Sequence, residues 1–79
     1  MKPRVWLVLE FHCHLPAPDQ ASIWISARPL SPDRDLAEDV GRKLAGPLPY
    51  PEAQRLVELL RGELEAAGVD VVMDSAADD

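Results

Sequence analysis

Cysteine is almost missing from this chain: Cys13 is the only one among 79 residues. A lone cysteine excludes an intramolecular disulfide and a cysteine-based zinc cage. The fold must therefore hold by burial, which suits a reducing compartment, and a cytoplasmic location is expected. Long apolar runs are missing as well. The run Val5–Leu9 is broken by Glu10, so it is too short for a signal-peptide core and far too short to span a membrane. There is no internal repeat. Length sets a further limit, because a chain of this size makes one domain and buries only about 60% of the surface it exposes when unfolded. A deep substrate cavity is disfavoured at the outset, and neither a cofactor nor a small-molecule substrate is expected.

Positive charge is scarce too. Eight Lys and Arg stand against fourteen Asp and Glu, a net charge of −6. The imbalance sits in one part of the chain: residues 1–29 sum to +1 and residues 30–79 to −7. An acidic surface repels phosphate backbones, so nucleic acid is not an expected direct ligand. Apolar residues at 47% and charged residues at 28% give an ordinary globular balance.

What is present is β-type alternation. Residues 4–14 are rich in Val, Leu, Trp and Phe, with Val5, Leu7, Leu9, Phe11 and Cys13 on one face and Arg4, Trp6, Val8, Glu10, His12 and His14 on the other. After a loop carrying Pro16 and Pro18, residues 21–28 alternate again, with Ile23, Ile25 and Ala27 opposed to Ser22, Trp24, Ser26 and Arg28. An antiparallel hairpin follows, and its register sets Trp24 on the face of Trp6, Glu10, His12 and His14. Ser31, Pro32, Asp33 and Asp35 read as a helix start, and Leu36, Ala37, Val40 and Leu44 keep helical spacing toward Arg42, Lys43 and a cap at Gly46. The stretch 46–51, with prolines at 47, 49 and 51, reads as a stiff extended connector. A second helix opens at Pro51, carries the stripe Ala53, Leu56, Val57, Leu60, Leu64 and Ala67, and stops at Gly68. Residues 69–73 then form a short strand.

The expected architecture is α+β in the order β-β-α-α-β: a three-stranded sheet ordered 2-1-3, the third strand parallel to the first, with two helices packed on one face. Residues 1–74 form the domain, and residues 75–79 an acidic tail that frays. The segment 51–73, a helix ending in Gly and leading into a valine strand, resembles the closing unit of ferredoxin-like and ribosomal-stalk-type domains. The opening hairpin departs from their element order.

Such a sheet leaves its Trp6/Trp24 face uncovered, and two indoles in water call for a partner. The expected function is a small acidic, non-enzymatic protein-interaction module of adaptor, inhibitor or assembly type. It binds a protein partner or a second copy, as a homodimer, through Trp6, Trp24, Glu10, His12, His14 and Arg28. Two alternatives stand beside it. One is an acidic inhibitor in which Asp33, Asp35, Glu38, Asp39, Glu52, Glu58, Glu63 and Glu65 mimic nucleic-acid charge, set against helix faces laced by pairs such as Glu58–Arg61 and Arg61–Glu65. The other is a small metal-binding protein using His12 and His14, which share a face at i and i+2 on the strand. Cys13 points away from that pair and reads as inert core. Ser22 or Ser26 opposite a histidine gives a Ser–His contact, but nothing supplies an oxyanion hole, so no catalytic residue is assigned.

Overall fold

Two alternating runs rich in β-branched and aromatic residues pair first. In the computed structural model, which describes residues 2–14, 16, 18–30 and 41–78, they form β1 (Arg4–His12) and β2 (Gln20–Ser26). They are antiparallel, with Trp6 opposite Ser26, Val8 opposite Trp24, Glu10 opposite Ser22 and His12 opposite Gln20. This is the register that buries the apolar face, because a slip of one residue would turn every apolar side chain outward. The chain continues with β3 (Arg42–Pro49), α1 (Tyr50–Ala66) and β4 (Asp70–Asp78). One mixed sheet results, ordered β3-β2-β1-β4, with β4 parallel to β1 and the other pairs antiparallel.

The three-stranded sheet with two helices is thereby corrected: the described residues hold four strands and one helix. The difference arises at residues 42–49. Arg42, Lys43 and Leu44, expected in the last turn of a helix, are extended and belong to β3. Pro47 and Pro49 cannot sit inside a helix, and a residue preceding proline is pushed toward extended backbone. An edge strand tolerates them because no second neighbour needs their missing N–H groups. Ser31, Pro32, Asp33, Asp35, Leu36, Ala37 and Val40, the rest of that expected helix, lie outside the described residues. The chain after Gly68 differs too. Ser75 to Asp78, read from sequence as tail, continue β4 alongside Leu9–His12. Pairing with a central strand holds them extended although Asp, Ser and Ala have low strand propensity.

The core lies between the odd-numbered face of the hairpin and one stripe of α1. Leu7, Leu9, Ala21, Ile23, Ala53 and Val57 are buried together, and Phe11, Ile25, Leu48, Tyr50, Leu56, Leu60, Leu64 and Val71 close around them. Full burial of a Leu or Ile side chain contributes about 1.5–3 kcal/mol. Phe11 and Tyr50 meet with ring centroids 5.3 Å apart, tilted by 34°. Tyr50 N–H donates to the Asp19 carbonyl, tying the start of α1 to the hairpin loop. The end of α1 is closed by a Schellman pair: Gly68 N–H donates to the Glu65 carbonyl and Val69 N–H to that of Leu64.

Two glycines carry positive φ for different reasons. Gly68, at φ +89°, makes the left-handed turn after α1 and faces open space. Gly46, at φ +113°, lies so close to β2 that an added Cβ would be 2.6 Å from Ser22 Cα. The β2–β3 register shifts on either side of Ile23, next to this approach. Replacing Gly68 by Ala therefore adds only backbone strain, about 1–2 kcal/mol. Gly46→Ala adds a backbone collision to the strain, for a loss of about 3 kcal/mol. Urea unfolding of both variants checks the order; equal losses would contradict the close approach.

Candidate functional site

The even-numbered face of the hairpin carries most residues expected to meet a partner, and the strand register brings several of them into contact. Glu10 and Trp24 are diagonal neighbours across β1 and β2, within reach of long side chains. Trp24 Nε1–H donates to Glu10 Oε1 at 2.9 Å. His12 Nε2 lies 2.6 Å from Ser22 Oγ and 3.6 Å from Glu10 Oε1. The hydroxyl donates when Nε2 is bare, and Nε2–H donates to the hydroxyl oxygen when it is not. The side chains of Glu10 and His12 are each only 13% exposed, and Ser22 is fully buried. The four residues form a polar network lying on the sheet.

A carboxylate, an imidazole and a hydroxyl in contact raise the question of catalysis. A relay of the hydrolase type sets the carboxylate on one ring nitrogen and the nucleophile on the other. Here both Glu10 and Ser22 approach the same atom, Nε2. Ser22 also has no accessible surface from which to attack a substrate.

Other expectations meet the end of β1. The strand stops at His12, so alternation does not carry on to Cys13 and His14. Cys13, expected in the core, is exposed. His14 is exposed in the loop beyond, and no third ligand joins it and His12: among the described residues no group of three or more His, Cys, Asp or Glu is placed to hold a metal ion. Arg28 follows Ser26, which pairs with Trp6, whereas His14 follows His12, which pairs with Gln20. Arg28 and His14 therefore sit at opposite ends of the hairpin.

Nor is the indole face the bare surface that a three-stranded sheet implies. Trp6 and Trp24 are half-buried, Val8 between them is fully buried, and Ser26 nearly so. On α1, the pairs Glu58–Arg61 and Arg61–Glu65 are formed at 3.7 and 3.6 Å. Leu59 is 61% exposed beside a shallow, open depression lined by Pro51, Gln54, Arg55 and Glu58. A single apolar residue of this kind is ordinary on a protein surface. No helix among the described residues is long and apolar enough to cross a membrane.

The feature that sequence reasoning missed is the free edge of β4. Asp70 N–H donates inward to the Pro3 carbonyl. In a parallel ladder both main-chain groups of alternate residues point the same way. Even-numbered residues of β4 thus bond to β1, and Val71, Met73, Ser75 and Ala77 direct theirs outward. No described strand lies there. One of these outward amides is occupied locally: Ser75 N–H donates to Asp74 Oδ1 at 2.9 Å. The opposite edge of the sheet, β3, lacks two donors at Pro47 and Pro49. Asp70 holds Arg4 Nε at 2.9 Å, both side chains being well exposed, so this pair adds little stability. A signal was available in the sequence: Asp70, Asp74 and Asp78 recur at even spacing, as charges do on one side of an edge strand.

Glu10→Ala removes the acceptor of the Trp24 indole from a poorly hydrated site and should cost about 2 kcal/mol. Glu10→Gln keeps an acceptor oxygen and should cost less than half of that. Chemical denaturation followed by tryptophan fluorescence measures both, and equal costs would show that the indole bond is unimportant.

No family model matches the chain, and none of the curated proteins or solved structures compared with it does so either.

Proposed function

We propose that this chain is a small acidic, non-enzymatic protein-interaction module that takes a strand of a partner protein onto the open edge of β4. The observation that carries this reading is the asymmetry of the sheet. One edge is interrupted by two prolines, while the other offers nine residues, Asp70–Asp78, whose outward main-chain groups meet no described strand. An unpaired edge is a template for strand addition. The alternation of β4 supplies side-chain specificity, with Val71 and Met73 on the helix side of the sheet and Val72 and Asp74 on the other. Met73 is already 37% exposed, ready to be covered by an incoming side chain.

The non-enzymatic part of the reading is supported by the burial of Ser22. The Trp6/Trp24 face supports partner binding less well than β4, since its central residue, Val8, is fully buried. Charge mimicry by the helix is weakened by the two carboxylates committed to Arg61. A single exposed thiol, Cys13, suits a reducing cytoplasmic setting.

Met73→Pro tests the edge. The amide lost is one that points outward, so the ladder to β1 is kept. Extended peptides selected from a randomised display library should perturb the backbone resonances of Val71, Met73 and Ala77. They should lose at least tenfold in affinity for Met73→Pro, whose circular dichroism matches the wild type. Binders that ignore this substitution, or that perturb α1 instead, would refute the proposal.

A further inference from the structure

Resting on the open-edge reading of β4, we infer that the strand it accepts is a basic extended segment, bearing Lys or Arg on the face shared by Asp70 and Asp74. In the free protein Asp74 Oδ1 accepts the Ser75 N–H, one of the amides that points to the open edge. An incoming strand needs that amide for its own carbonyl, so docking must detach Asp74. A carboxylate released beside a newly dried edge loses its hydrogen bond, and burial without compensation is unfavourable. A cation opposite it on the incoming strand supplies the compensation. A neutral strand supplies none, and an acidic one adds repulsion. Asp74 thus acts as a filter: it closes an edge amide until a strand arrives that can satisfy the carboxylate.

The surroundings point the same way. Asp70, Val72, Asp74 and Ala76 take alternate positions along β4, all on one side of the sheet. Arg4 already neutralises Asp70 in part, at 2.9 Å. No basic residue of β1 is in register with Asp74; its register partner is Val8. A second copy of this chain is a poor occupant. Antiparallel pairing of two β4 strands over all nine residues sets the two Asp74 residues against each other. Like charges directly opposed across a ladder are destabilising. The segment this edge fits best carries cations at every second residue and apolar side chains between them.

Three blocked nine-residue peptides serve as probes, alternating Lys–Val, Ser–Val and Glu–Val, each offered to the full chain and followed by amide shifts of Val71, Met73 and Ala77. The Lys–Val peptide should bind about tenfold more tightly than Ser–Val, which adds up two cross-strand charge pairs, and Glu–Val more weakly than either. The Lys preference should shrink about threefold in Asp74→Asn and fall with salt. Met73→Pro should abolish binding of every peptide. Equal binding of the three peptides, all of it lost in Met73→Pro, overturns the charge inference while the edge reading stands. Lys–Val binding that survives Met73→Pro removes the edge reading itself. Failure of Lys–Val to bind, while library-selected peptides bind in a Met73→Pro-sensitive way, also overturns the inference.

Discussion

β1 is hydrogen-bonded along both sides, to β2 on one and β4 on the other, and that central position governs what every other residue can do. A strand so placed has no free main chain, so its contribution is made through its two faces. The odd face, Leu7, Leu9 and Phe11, receives α1 and becomes the core. The even face cannot remain a bare surface either, since Val8 has no solvent exposure. Its polar members, Glu10 and His12, are consequently drawn into hydrogen bonds with Trp24 and Ser22, as partly dried polar groups must be. A carboxylate beside an imidazole and a serine follows here from the strand register and the burial of the sheet.

Much of this was legible from residue order. The alternation of residues 4–14 and 21–28 dictated the hairpin and placed Glu10, His12, Ser22 and Trp24 on one side. The stripe Ala53, Val57, Leu60 and Leu64 with Gly68 behind it dictated α1. The start of β4 after that glycine, and its parallel run beside β1, follow from a helix that returns the chain. What was not legible came from pairing between distant segments. The prolines of Arg42–Pro49 favour extended backbone locally, but two prolines and a glycine are poor sheet formers, so the sequence does not announce a paired strand. The segment is extended because β2 offers it an edge and because Gly46 can approach Ser22 without a side chain. Ser75–Asp78 is the same case at the other edge, where the ladder from β1 overrides weak propensity.

The candidate site divides along the same line. Alternation named the residues of the even face correctly as neighbours, yet it carries no information on solvent exposure. Val8 is fully buried on that face, while Trp6 and Trp24 are half-buried. Cys13 and His14 show where periodicity itself fails. Alternation holds only while the ladder continues, and β1 ends at His12. The metal pair and the buried thiol were both extrapolations of a strand past its last residue.

The two edges of the sheet then explain where an interaction is left open. A small domain with an unprotected edge risks pairing with itself, and each edge here meets that risk differently. β3 removes donors with Pro47 and Pro49 and bends where its register to β2 shifts. β4 keeps its donors but places aspartates along one side, and turns one of them, Asp74, back onto an outward amide. Proline blocks every incoming strand alike, whereas a carboxylate discriminates by charge. On the proposed reading, an edge guarded by aspartates is closed to copies of itself and open to a strand that brings the opposite charge. The acidic balance of the second half of the chain would then be a determinant of partner choice at β4.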